Sequence, residues 1–454
     1  MNPAVKRPQP SPLRRSLQAS TFDGTAHAMM VGLGETYFPA FALFLGASAF
    51  EAGLLTTLPL LAGAIFQLFT PYGAGVFGNK RWVVVSALLQ ALSFVPVLLT
   101  MALPGLGYGW LLAWVCVYWA LALGINPAWN VWMGRLVPPR VRSTFFSRRN
   151  VPIQAALFLS VLGGGYALHL AAGSPPGAAA GFVGIFVLAS VSRFVSTGFL
   201  AQQIEPPTAT PPEPVRTLTL LRRVAGEPVG RVVLLIVTLN ASVFVAAPYF
   251  TPYMLDHLGL SYAEFTILNG AVVVARVLSS SYWGHTARSF GNRRTFQVAA
   301  FLIVPLASLW AVSTNFWYLI LLQMLAGFAW TGFELMVVLS FLDTTAEQTR
   351  ARVLSIYNLL NGIGIVAGSL VGGLLLATFG DNGFLAIFLA SSLLRALAVL
   401  AFASGAGVRH PVEHDFEKVL LRVISFRPGQ GPSFRPVVFA SRQRGRQRER
   451  RPRH

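Results

Sequence analysis

Leu45-Gly46-Ala47-Ser48-Ala49-Phe50-Glu51, with Gly78-Asn79-Lys80-Arg81 further on, is written twice in this chain. It returns as Leu258-Gly259-Leu260-Ser261-Tyr262-Ala263-Glu264 and Gly291-Asn292-Arg293-Arg294. The copies lie 213 residues apart (258 − 45), and Pro39 and Pro252 keep that spacing. Arg142, Ser147, Asn150 and Gly164-Gly165 recur as Arg350, Ser355, Asn358 and Gly372-Gly373, now 208 residues apart (350 − 142). Two halves built on one plan follow from these echoes.

What the halves are made of sets the solvent. Of 454 residues, 54% are hydrophobic and 11% charged, with a mean hydropathy of +0.60. Soluble domains carry about 25% charged residues, so this surface is not meant for water. The net charge of +19 does not point to a specific nucleic-acid partner. Its basic residues fall between apolar runs of about 20 residues, as in a protein of the lipid bilayer. The single cysteine, Cys116, excludes an intramolecular disulfide and a cysteine-based metal site, and the seven histidines show no ligand spacing. Residues 1–20 are polar and proline-containing, unlike a cleavable signal, and read as an N-terminal tail.

Six apolar runs fall within residues 21–200 and six within 231–404, each long enough to cross a hydrocarbon core of ~30 Å as a helix. The proline-rich stretch 201–230 separates them as a linker. The expected fold is an all-α polytopic membrane protein of twelve transmembrane helices in two six-helix bundles. The loops after the second, fourth, sixth, eighth and tenth runs hold the Lys and Arg residues, and the opposite loops hold none. That asymmetry predicts a cell-membrane protein with both termini and the linker in the cytoplasm.

This six-plus-six plan with a central linker resembles the major facilitator superfamily of secondary transporters. The family's loop signature after helices 2 and 8 has a partial match in Gly78, Lys80 and Arg81, and in Gly284, Gly291, Arg293 and Arg294. Arg288 stands where the second copy would carry aspartate, and the first copy has no acid. The loop serves either as a gating latch or as simple anchoring at an anionic leaflet. Gly364 to Gly373 is similar to the family's antiporter motif, with Ser369 in place of proline, but lies in helix 11 rather than helix 5. Small residues at that spacing also let helices pack closely.

Charges inside the apolar runs need a reason. The resemblance places helices 1, 4, 7 and 10 around a central cavity, which makes Glu35 of helix 1 a candidate proton-coupling residue, with Tyr37 beside it. Its other reading is a structural partner. Glu334 of helix 10, near Trp330 and Thr331, pairs on this reading with Arg276 of helix 8, as a switch or as a static bridge. Arg193 and Arg395 are expected to snorkel to the headgroups. Asn126, Trp129 and Asn130 beside Pro127, with Tyr37, Asn240, Trp330, Asn358 and Asn361, suggest a cavity poor in charge and suited to an amphiphilic solute.

No phosphate-binding loop, nucleophile elbow or zinc-protease histidine pair is present, so neither an enzyme nor a cofactor is expected. Residues 405–454 form a basic tail in which 411–426 fits an interfacial helix, and the final arginines suit anionic lipid headgroups. The function expected is proton-coupled secondary active transport of a small molecule by alternating access. An uncoupled facilitator and a non-transporting receptor or scaffold are the alternatives.

Overall fold

A computed structural model describes residues 12–103, 105–138, 142–173, 177–206, 228–344 and 347–403. The predicted tail helix at 411–426, the arginine-rich end and most of the linker lie outside these residues. The described residues contain helices and turns and no strand.

Among the described residues, twelve helical segments follow in order. In the first half α1 is Pro12–Leu33, extended by Glu35–Tyr37 and Phe38–Phe44, and α2 is Ala49–Gln67 with Thr70–Phe77. Next come α3 (Asn79–Leu92 with Phe94–Ala102), α4 (Tyr108–Leu136), α5 (Arg142–Ala172) and α6 (Ala178–Gln202). The second half begins with α7 (Pro228–Phe244, Ala247–Tyr249, Phe250–Pro252 and Tyr253–His257) and α8 (Tyr262–Phe290). It closes with α9 (Asn292–Ile303 with Ser308–Ala311), α10 (Phe316–Thr344), α11 (Glu347–Phe379) and α12 (Gly383–Ala403). Among the described residues, eleven helices are long and apolar enough to cross a membrane by themselves. The exception is α1, which carries Asp23 and His27 and a polar first half.

The duplicated stretch is a folding instruction. Ser48 and Glu51 cap α2 reciprocally: the Glu51 N–H donates to Ser48 Oγ at 3.3 Å, and the Ser48 N–H donates to Glu51 Oε2 at 2.8 Å. Ser261 and Glu264 repeat this at the start of α8, at 3.3 and 2.9 Å. Such a box satisfies two amides that a helix start leaves unpaired. At the other end of the copy, Gly78 and Gly291 take φ of 84° and 82°, a conformation that β-carbons disfavour, and turn the chain into α3 and α9. The breaks in α1 and α7 also match. Each has a three-residue 3-10 turn, Glu35–Tyr37 or Ala247–Tyr249, beside prolines that cannot donate to the helix ladder.

In the first bundle α1 packs on α5 and α6, α2 on α4, and α3 on α4 and α6. In the second, α8 packs on α10, α7 on α11 and α12, and α9 on α10. The halves meet along two seams, α2 against α11 and α5 against α8, which the repeat exchanges. Aromatic plugs fill each bundle near the broken helices. Phe38, Phe41, Phe94, Tyr118, Phe182 and Phe186 interlock in one, and Phe250, Tyr253, Trp310 and Phe388 in the other. Large apolar side chains such as Val85, Leu92, Val187, Leu278, Leu321 and Leu400 point outward, a surface suited to lipid tails.

The first helix starts earlier than the sequence suggested. Pro12 to Ser20 belong to α1 rather than to a tail, because Ser16 and Ser20 are buried. Ser16 Oγ accepts the Ile204 N–H at 3.1 Å, and the Ser20 carbonyl accepts Arg149 Nε at 3.0 Å. Small polar residues let this end of α1 lie against α5 and the end of α6.

Candidate functional site

Within the first bundle lies a cavity of about 330 Å3, lined by α1, α4, α5 and α6. From α1 it receives Asp23, His27, Val31 and Glu35, spaced every four residues and so near one face of the helix. From α4 come Trp119, Asn126 and Trp129, from α5 Arg149, and from α6 Arg193.

These groups form one network. Ser196 Oγ donates to Asp23 Oδ1 at 2.7 Å and accepts from Arg193 Nη1 at 2.9 Å. Arg149 Nη2 stands 3.7 Å from Asp23 Oδ2, with its guanidinium 5.0 Å from the Trp129 ring centre. Asp23 and Arg193 are 4% and 3% exposed, so each charge depends on the others for compensation. One helical break further along, Tyr118 Oη donates to Glu35 Oε1 at 2.6 Å. Two buried polar atoms have no protein partner: His27 Nδ1 and Arg193 Nε. Among the described residues no group of His, Cys, Asp and Glu is placed to hold a metal ion.

The structure sorts the residues named from sequence. Glu35, Asn126 and Trp129 line this cavity. Asn130 is exposed one step round α4. Tyr37 is not a lining residue. It is fully buried, donates to the Val161 carbonyl at 2.5 Å and lies 3.2 Å from Thr266 Oγ1 in the other bundle.

In the second bundle Arg276 and Glu334 meet through two contacts of 3.1 Å. Although both residues lie within apolar runs, their side chains are 40% and 54% exposed, so the pair faces open space. Asn240 Nδ2 donates to Asn361 Oδ1 at 2.7 Å and lies 3.4 Å from Tyr357 Oη, joining α7 to α11. Asn358 crosses the seam to Gln67, also at 3.4 Å. Trp330 packs edge-on against Phe333.

The two arginines read as membrane anchors are interior instead. Arg395 is 2% exposed and donates to the Ile303 carbonyl at 2.9 Å, as Arg193 does to Ser196. Each has a polar partner within the bundle, which removes the reason to snorkel. Of the loop residues, Lys80 offers its amide to Glu205 Oε1 at 3.1 Å. The acid missing from the first loop copy is therefore supplied from just past α6, where it caps the start of α3. Arg81 and Arg293 are exposed, Gly284 is open, and Arg294 is half-buried with its Nη1 unpaired. The Arg288 side chain lies outside the described residues.

Sequence reasoning missed Asp23, His27, Arg149 and Glu205. The four-residue spacing of Asp23, His27 and Glu35 was the available signal for the first two.

The seams carry a second arrangement. Tyr249 Oη donates to the Ser369 carbonyl at 2.6 Å, as Tyr37 does to Val161, the residue 208 positions earlier (369 − 161). Each tyrosine thus bonds a helix of its own bundle while its ring reaches the other. A β-carbon at Gly53 would lie 2.7 Å from Tyr249 Cε1, and one at Gly164 2.8 Å from Tyr37 Cε2. In these two clasps, Gly53 leaves room across the seam for the Tyr249 ring, and Gly164 lets the Tyr37 ring lie against α5 of its own bundle.

A sequence profile described as Major Facilitator Superfamily matches residues 232–441. The whole described fold also superposes on solved transporters of that architecture. Over residues 232–441, in its second half, the chain is similar to the major facilitator superfamily. Among solved structures, a single-residue mutant of the nucleoside transporter NupG matches with a TM-score of 0.67 at 12% identity, over 86% of this chain and 99% of NupG. A bacterial homologue of the iron transporter ferroportin, in an inward-facing state, gives 0.63 at 16% identity, over 87% and 98%. A bacterial homologue of the human lysosomal transporter Spinster, inward-facing and unoccupied, gives 0.61 at 15%, over 87% and 96%. At these identities the likeness is one of fold. A probable peptide/nitrate transporter of Arabidopsis thaliana is 28% identical over 115 residues, which span 25% of this chain and 23% of that relative.

Proposed function

We propose that this protein is a proton-coupled secondary transporter of the major facilitator type whose solute site is the charged cavity of the first bundle. The observation that carries the reading is the placing of Glu35 and Asp23 with Arg149, Arg193, Trp119 and Trp129 around about 330 Å3 of space. Such a volume is of the order of known small-molecule pockets, which run from ~300 Å3 upward. Carboxylates kept from bulk water can load and release protons as the cavity changes its exposure, which is what coupling requires. The aromatic walls favour a solute with both polar and apolar parts.

The two clasps close the bundles together near the breaks in α1 and α7, and the Arg276–Glu334 pair opens to solvent. This supports an arrangement open toward the end that holds the termini. With the basic loops in the cytoplasm, that arrangement is inward-facing, the state also named for the ferroportin and Spinster homologues.

The test is reconstitution into liposomes loaded with a pH-sensitive dye, challenged with sugars, peptides, organic anions and amphiphilic cations. Proton movement with one class, abolished by Glu35→Gln, is the expected result. Solute flux without proton movement would make it an uncoupled facilitator. Absence of both across the panel would refute transport and favour a receptor.

A further inference from the structure

Resting on that reading, we infer that the solute is an organic monocarboxylate, bound by Arg149 and Arg193 while Asp23 takes up one proton. The argument is one of charge counting in a site that cannot tolerate imbalance. The cavity network holds two guanidiniums, Arg149 and Arg193, and two carboxylates, Asp23 and Glu35. An isolated charge withdrawn from water costs several kcal/mol, so a guest must enter with its charge compensated.

An anion and a cation differ in what the cavity can do for them. An entering carboxylate is compensated if one of the two acids is protonated. An entering cation would need a third carboxylate or the loss of a proton, and the arginines cannot supply that proton. His27 lines the same cavity and, while neutral, has no acidic proton to give. The balance therefore favours an anion accompanied by a proton.

The geometry identifies Asp23 as the acid that yields. It faces Arg149 from α5, Arg193 and Ser196 from α6, and His27 on its own helix. Its bond to Arg149 is long, at 3.7 Å, so that guanidinium is incompletely used. Arg193 Nε and His27 Nδ1 are buried polar atoms without partners. Glu35 is instead held by Tyr118 at 2.6 Å and stays in place. On binding, a proton from water adds to an Asp23 oxygen, and Arg149 and Arg193 turn to the guest's carboxylate. Trp119 and Trp129 then offer ring faces to its apolar part, so the aromatic acids are the preferred members of the class.

Calorimetry on the full-length protein in detergent tests this with benzoate and 1-naphthoate against benzylammonium and 1-naphthylmethylammonium. Titrations in buffers of different ionisation enthalpy count the protons taken up. The expected result is binding of a carboxylate and of neither cation, with one proton taken up and affinity rising about tenfold for each unit fall in pH. Asp23→Asn should bind the acid with no proton uptake and a flat pH profile, and so should Glu35→Gln, because each leaves two guanidiniums facing one carboxylate and the guest then completes the balance. Binding of the cations in preference, or carboxylate binding without proton uptake by the wild-type chain, would overturn the inference. So would failure of both acids to bind. Liposome flux of a sugar or a cation accompanied by proton movement, beside such a failure, would refute the solute class and leave proton-coupled transport standing.

Discussion

Replacing Gly165 by alanine should drive the two bundles apart. Gly165 lies on α5 where it meets α8, and a β-carbon built there falls on the Thr266 side chain, 1.6 Å from Oγ1 and 2.4 Å from Cβ, which no rotation of the threonine can relieve. Carbon atoms settle at about 3.5–4.0 Å, so the helices must separate by about 1–1.5 Å or distort. Overpacking a close contact costs about 1–3 kcal/mol. The strain exists only while the seam is closed, so it should appear as a shift between closed and open arrangements of about 5- to 150-fold. Spin labels at Ala47 and Leu260, on the loops before α2 and α8, would report it by double electron–electron resonance after Cys116→Ala. The expected change is a longer-distance population in Gly165→Ala that disappears when Thr266→Gly is added. An unchanged distance distribution, with the whole cost showing as a lower unfolding temperature, would refute the claim that this seam parts.

Other perturbations read different parts of the structure. Glu35→Gln and Tyr118→Phe should both remove the proton dependence of uptake, the first more completely, as measured by gradient-driven accumulation across pH. The Arg276–Glu334 pair is too open to steady the fold, so Arg276→Ala should change unfolding stability by less than about 1 kcal/mol. If the pair works in the cycle, exchanging its two residues should recover the transport lost in the single variant. Glu205→Ala should cost about 0.5–2 kcal/mol by uncapping α3, seen as faster hydrogen exchange at the Lys80 amide. Cysteines in the loops after α2 and α8 should react with membrane-impermeant reagents only when the reagent is inside, and the opposite result would invert the orientation.

The fold was legible because its signals are local and doubled. Ser-x-x-Glu before an apolar run and the glycines at 78 and 291 each fix a helix end from neighbouring residues alone, and the second copy checks the first. The site was only partly legible because its logic is long-range. Glu35 stood out as an acid in an apolar run. Asp23 did not, since its neighbours are small and polar and resemble a helix entrance. Its partners Arg149 and Ser196 are over a hundred residues away. The same distance hid the fate of Arg193, where a long cation two-thirds along a span reads as an anchor until the buried Ser196 and Asp23 beside it are known. Tyr37 was assigned to the cavity by nearness to Glu35, although the 3-10 turn between α1 and its extension sends the two side chains to different places.

The cavity's four charges also determine how the membrane voltage acts on the proposed cycle. A charge carried across the bilayer does about 2.3 kcal/mol of electrical work per 100 mV. Arg149, Arg193, Asp23 and Glu35 sum to zero, and a carboxylate arriving with its proton leaves that sum unchanged. The first bundle can then change its exposure, loaded or empty, without these groups moving net charge through the field. Accumulation by this site would follow the pH difference and the solute gradient, and be indifferent to membrane potential.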